Sequence, residues 1–212
     1  MTSVSKRTSM ALYSDPKDHY SHRVRIVMEE KGIASDIIYT EVDELDDDLL
    51  ALIPYRTLPV LVDREVCLYD SVTLMEYLDE RFPHPPLLPV YPVARAQIRL
   101  FIQRIERDWC VLFNSLFNKD LSAGEEKKAK QKLKSHFLSA IPIFKEKDFF
   151  MSDEFTIVDC CIAPIMWRLP FIGIKIEEKM NTRPLHQYMK RVFTRPAFIK
   201  SLSELERDMR SI

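Results

Sequence analysis

Glycine is scarce in this chain of 212 residues. Only Gly32, Gly124 and Gly173 occur, against a usual share of about 7%. No two lie close enough to build a glycine-rich loop around a phosphate, so the dinucleotide fingerprint and the P-loop are both excluded. Long apolar runs are missing too. A membrane-spanning helix needs roughly 20 apolar residues, and proline interrupts every stretch well before that. Net charge is nearly absent, with 31 Lys and Arg against 32 Asp and Glu. Broad electrostatic binding to nucleic acid needs a basic footprint that this balance does not supply, although a local basic patch stays open. The four cysteines, Cys67, Cys110, Cys160 and Cys161, match no zinc spacing. They read as reduced thiols of a cytoplasmic protein. Residues 1–9 are polar with no apolar segment behind them, as expected of a flexible tail rather than a signal peptide.

What is present is a 46% hydrophobic, 30% charged composition, that of a folded chain. The first third alternates in period. Met10–Ser14 reads as a short buried strand. Ser21–Lys31 reads as a helix stopped by Gly32. Asp36–Val42 is rich in β-branched residues, and Asp46–Ile53 forms a short helix stopped by Pro54. Pro59–Val62 and Val66–Tyr69 form a hairpin. In Ser71–Phe82, Val72, Met75, Leu78 and Phe82 make an inner helical face. The order βαβ followed by αββα is the thioredoxin-like arrangement, a mixed sheet with helices on both faces, over residues 10–82.

Residues 83–92 hold five of the 13 prolines. So many fixed φ angles and missing N–H donors suit a stiff extended connector. We place the domain boundary in it. Residues 93–212 read as all helix. Ile98, Ile102, Ile105, Trp109, Leu112 and Leu116 follow a 4-3 spacing. Thr156-Ile-Val-Asp159 opens an apolar helix with a capping box. Leu185–Phe193 and Phe198–Met209 read as two closing amphipathic helices. Asp70-Ser71 precedes a helix, as an ordinary N-cap or as a carboxylate-binding start.

Several segments together carry a specific resemblance. Tyr20-Ser-His-Arg-Val-Arg-Ile-Val27, Leu58-Pro-Val-Leu-Val62, Asp70-Ser71 and Phe155-Thr-Ile-Val-Asp-Cys160 stand in the order and spacing of glutathione S-transferases. Glu76-Tyr-Leu-Asp-Glu-Arg-Phe-Pro-His-Pro-Pro-Leu-Leu-Pro-Val-Tyr-Pro-Val-Ala-Arg95, Arg104-Ile-Glu-Arg-Asp-Trp109 and Met151-Ser-Asp-Glu-Phe155 resemble the stringent starvation protein A family more narrowly. That resemblance spans nearly the whole chain from Met10. It implies a glutathione S-transferase-like fold, an α/β thioredoxin-like domain followed by an all-α domain. It also implies a cytoplasmic transcription co-regulator of starvation, stationary-phase and acid-stress responses. Such a protein associates with RNA polymerase holoenzyme and its sigma factor, with no transferase activity and no cofactor. The partner set implied is a homodimer, or a heterodimer with a related subunit, without membrane or sequence-specific nucleic-acid binding.

The resemblance also assigns positions. Asp18 stands where serine- and cysteine-type transferases keep their catalytic residue. An ionised carboxylate cannot donate a hydrogen bond and would raise the pKa of a nearby thiol. Arg56 and Thr57 replace the Gly-Lys pair of the glutathione loop. Asp18, Leu58, Pro59, Asp70 and Ser71 are therefore vestigial glutathione-site positions, with Pro59 expected in the cis form, and no residue is assigned as catalytic. Pro83, His84, Pro85 and Pro86, with Tyr91, are the expected partner-binding surface. Hydroxyls at Tyr20 and Ser21 leave a shifted thiolate donor open. The competing function is a glutathione-dependent transferase or reductase, and a blander one is a stress-induced scaffold. Arg95, Arg99, Arg104 and Arg107 read as a solvated face, with an interface role for the same helix implied by the family.

Overall fold

The computed structural model describes residues 9–118 and 120–210. The expected tail therefore lies outside the described residues except for Ser9. The described chain forms two compact units. One runs up to Pro85 and takes in Pro196–Asp208; the other holds Pro86–Arg195 with Met209 and Arg210.

The first unit is built on a four-stranded sheet of order β2-β1-β3-β4. Its strands are β1 (Ala11–Ser14), β2 (Asp36–Tyr39), β3 (Val60–Asp63) and β4 (Val66–Tyr69). β1 runs parallel to β2, with Ala11 opposite Asp36, and antiparallel to β3, with Leu12 opposite Leu61. The hairpin closes β3 on β4 with Val62 opposite Cys67. Helix α1 (His19–Glu30) connects the parallel pair, α2 (Asp47–Leu50) precedes the hairpin and α3 (Ser71–Arg81) follows it. This is the expected thioredoxin-like order. Leu45, Leu49 and Ile53 pack with Val60 and Val62 of β3. Gly32 ends α1 in the left-handed region at φ 59°, where a residue without Cβ meets no steric penalty.

The same unit recruits the end of the chain. The expected single helix over Phe198–Met209 is two, α10 (Pro196–Ser201) and α11 (Glu204–Asp208). Ser203 restarts the helix as a capping box: its Oγ accepts from Glu206 N–H at 3.1 Å while its own N–H donates to Glu206 Oε2 at 2.9 Å. These residues belong with the sheet rather than with the helical unit because the buried part of α1 carries the arginines Arg23 and Arg25. Arg25 and Glu206 are both fully buried. Arg25 Nη2 donates to both Glu206 oxygens at 2.6 Å, and its Nε donates to Ser201 O at 2.9 Å. A guanidinium deprived of water needs such a bidentate carboxylate.

The second unit is helical: α4 (Pro92–Ile105), α5 (Val111–Ser115), α6 (Ala123–Ser139), α7 (Ile141–Glu146), α8 (Ile157–Arg168) and α9 (Arg183–Phe193). Pro92 was expected in the connector. It is instead the first residue of α4, where its missing N–H has no intrahelical partner to lose. The 4-3 pattern expected from Ile98 to Leu116 holds as far as Trp109; a π-helical turn, Glu106–Cys110, joins α4 to α5 and shifts the register, so Cys110 and Phe113 are buried there while Leu112 and Leu116 are half-buried. Trp109 in that turn stacks on Phe137 of α6 with ring centroids 4.5 Å apart. α8 is buried along its whole length. Its capping box forms as read from the sequence, and its Asp159 takes two further donors. Oδ2 accepts from Thr156 N–H at 2.8 Å, and Oδ1 accepts from Phe150 N–H at 2.9 Å and Tyr188 Oη at 2.7 Å.

Candidate functional site

Helix α1 begins at Asp18. Its backbone is extended, at φ −77° and ψ 139°, and its carboxylate accepts from Ser21 N–H at 2.8 Å. An acid at a helix start is favoured by the exposed N–H groups and the helix dipole. Ser21 is buried, and its Oγ accepts from Asp15 N–H at 3.1 Å. Tyr20 is half-buried, with the Arg23 guanidinium 4.6 Å from its ring centroid.

Leu58–Pro59 is a cis peptide, and Pro59 is buried immediately before β3. Three residues earlier Arg56 takes φ 48°. The loop thus makes its left-handed turn without the glycine, at a steric cost that an L side chain carries there. Asp70 takes φ 74° and its Oδ1 accepts from Thr73 N–H at 2.9 Å and Thr73 Oγ1 at 3.0 Å. The start of α3 is therefore already capped by the chain's own carboxylate, and Ser71 beside it is buried.

Pro83, His84, Pro85 and Pro86 are all exposed. His84–Pro85 is cis. The run is tethered from inside the first unit by Lys31. Its ammonium donates to Phe82 O at 2.6 Å and Pro85 O at 2.8 Å, and pairs with Asp79 Oδ1 at 2.7 Å. The Lys31 side chain is fully buried and that of Asp79 is 6% exposed. Sequence reading missed Lys31; a lysine before a helix-ending glycine looks like an ordinary C-terminal charge. In the second unit, Pro86 and Tyr91 line one cleft of about 390 Å³ with Ile98, Phe101, Met151 and Phe155. Tyr91 is 77% exposed. Leu87 and Leu88 between them are buried and hold the segment down, and Leu87 O accepts from Ile157 N–H at 3.0 Å.

A buried polar cluster completes the first unit. Besides the Arg25–Glu206 pair, His22 Nδ1 lies 3.7 Å from Glu206 Oε1, and its Nε2 is 3.0 Å from Ser201 Oγ. The partners are about 180 residues apart in sequence, so no local pattern announces them.

Family comparisons agree with this geometry. Residues 12–86 match the glutathione S-transferase N-terminal domain and residues 101–196 the C-terminal domain. A stringent starvation protein A homolog of Coxiella burnetii is 46% identical over 210 residues, 98% of either chain. One from Pasteurella multocida is 46% identical over 204 residues, 95% of this chain and 94% of that one. The chain belongs to the stringent starvation protein A family. Among solved structures, the tau-class glutathione S-transferase of mango, Mangifera indica, aligns at TM-score 0.79 with 20% identity over 94% of both chains. The theta-class enzyme of Xanthomonas axonopodis pv. citri, solved with glutathione bound, aligns at 0.78 with 17% identity, over 92% of this chain and 98% of that one. These two likenesses carry the fold alone.

Within the stringent starvation protein A frame, this is a starvation-related, glutathione S-transferase-like protein. Cys110, Cys160 and Cys161 are buried, and burial pushes the thiol of half-buried Cys67 up, away from the reactive thiolate. Among the described residues no helix is long and apolar enough to cross a membrane.

Proposed function

We propose that this protein is a cytoplasmic, non-enzymatic transcription co-regulator. It docks on RNA polymerase holoenzyme as a homodimer, or as a heterodimer with a related subunit, through the Pro83–Pro86 run and Tyr91. The observation that supports a loss of catalysis is Asp18, whose carboxylate caps α1 where the family resemblance puts the thiolate donor. It would repel the glutathione thiolate and raise its pKa, the reverse of activation. Asp70, Leu58 and Pro59 then remain as parts of the fold rather than of a substrate site.

Docking through the proline run is supported by its exposure and its internal tether. The rings lose little conformational entropy on binding, and Lys31 holds the carbonyls at both ends of the Phe82–Pro85 stretch. Stress-response function is supported by the family's name and by the resemblance of the 76–95 segment. The test pairs two measurements. Replacing Pro83, His84 and Pro85 together by Ala is expected to leave Tm and oligomeric state nearly unchanged while polymerase association drops at least about tenfold, or about 1.4 kcal/mol. A folded triple variant that binds polymerase with unchanged affinity overturns the docking role. Purified protein is expected to show no thiol conjugation above background. Turnover abolished by Ser21→Ala or Tyr20→Phe would instead establish the glutathione-dependent transferase reading.

A further inference from the structure

The near-neutral chain hides a segregated charge. α6 carries Lys127, Lys128, Lys130, Lys132 and Lys134 against only Glu125 and Glu126, in a protein whose total is −1. Lys127, Lys130 and Lys134 recur at i, i+3 and i+7, so they share one helical face. They line a shallow cleft of about 350 Å³ whose other wall is Gly173, Ile174 and Lys175. The cleft is shaped by those lysines. Lys134 Nζ donates to Lys175 O at 2.6 Å, which leaves its ammonium two further donors. Gly173 sits at φ 77°, and a Cβ there would lie 3.5 Å from Lys130 Nζ. The acids nearby are already engaged: Glu126 pairs with Lys130 at 2.5 Å and Glu177 with Lys179 at 2.7 Å.

We propose that this lysine-lined cleft between α6 and the 173–175 loop binds the phosphate backbone of double-stranded DNA independently of sequence. The composition selects that partner. Protein interfaces are built on aromatic and Arg anchors and are depleted in Lys. The cleft has no aromatic residue and no Arg. Single strands are held by aromatic stacking platforms, which the cleft likewise lacks. What it offers is a row of ammonium point charges on flexible stems, which suits phosphate. The contact differs from polymerase docking in place and in chemistry and does not rest on it, so it is tested without polymerase.

The experiment is fluorescence anisotropy with a labelled duplex of arbitrary sequence, about 30 base pairs long, titrated with the full chain. With Lys130 paired to Glu126, Lys127, Lys134 and Lys175 meeting three phosphates predict a log–log salt slope of about −2.7, a weakening of about 40-fold between 50 and 200 mM salt. Lys127→Gln/Lys130→Gln/Lys134→Gln is expected to lose at least about tenfold in affinity at 50 mM salt. A charge-matched control, Lys145→Gln/Lys190→Gln/Lys200→Gln, should lose less than about twofold. Amine-reactive footprinting of the wild type gives a reading that needs no variant: duplex should protect Lys127, Lys130 and Lys134 more than Lys190 and Lys200. Absence of wild-type binding at 50 mM salt overturns the proposal. So does equal loss in both variants, equal protection of all five lysines, or tighter binding to a single strand of the same length.

Discussion

Replacing Lys31 by Met tests how the proline run is held. Met preserves most of the stem volume and removes the ammonium, so the change isolates the charge. Lys31 has a fully buried side chain and three partners, Asp79 Oδ1 at 2.7 Å, Phe82 O at 2.6 Å and Pro85 O at 2.8 Å. Its loss leaves the Asp79 carboxylate 6% exposed and without its cation. Breaking a buried pair from one side costs about 3–5 kcal/mol. Asp79 is not wholly sealed, so we expect the lower end, about 3 kcal/mol. Removing both charges in Lys31→Met/Asp79→Leu takes the buried carboxylate away together with its cation, and the double variant should recover about 2 kcal/mol of that loss. Urea unfolding followed by circular dichroism reads the stability. Amide exchange at Phe82, whose N–H donates to Leu78 O at 3.0 Å and whose carbonyl accepts from Lys31, reports the start of the run. Phe82 should exchange faster in Lys31→Met, and polymerase association should fall with it. A single-variant loss below about 1 kcal/mol with unchanged Phe82 exchange would refute the tether.

Two further outcomes follow from the geometry. Burial pushes the Asp159 carboxyl up to about 6 from its ordinary 3.8, although bonds from Phe150 N–H, Thr156 N–H and Tyr188 Oη pull the other way. Its folded pKa is raised, so its contribution is full below about pH 4 and lost as pH rises through about 6; the shift is worth about 3 kcal/mol. The stability of wild type over Asp159→Asn should accordingly be larger at pH 4 than at pH 7.5 in denaturant titrations, and a difference independent of pH would contradict it. Arg56 at φ 48° stands where an L residue is strained, so Arg56→Gly should raise stability by up to about 1 kcal/mol in a thermal melt. A clear loss of Tm would show that the Arg56 side chain holds the loop in some other way.

The features legible in the sequence are those written within a few residues of one another. Thr156 and Asp159 announce the start of α8 because a capping box needs only four positions. Gly32 ends α1 through a backbone preference of a single residue. The proline run declares itself as neither helix interior nor strand because each ring removes a donor. Where such local rules were pushed too far, the structure differs. Pro92 looked like more connector and is the first residue of α4, since proline is tolerated at a helix start. The 198–209 stretch looked like one helix, and Ser203 divides it. The missing glycine near residue 56 suggested an altered loop, yet Arg56 adopts the left-handed turn itself.

The sequence by itself determined the fold class and the family, because periodicity, caps and residue identity are local quantities. Tertiary structure alone decided which distant groups share buried space. It drew Glu206 to Arg25 and so placed the chain's last helices with the sheet. It brought Lys31 to the carbonyls of Phe82 and Pro85, and it set Lys175 across from the lysines of α6. A buried charge must find an opposite charge or a carbonyl wherever the chain offers one. Sequence separation says nothing about where that is.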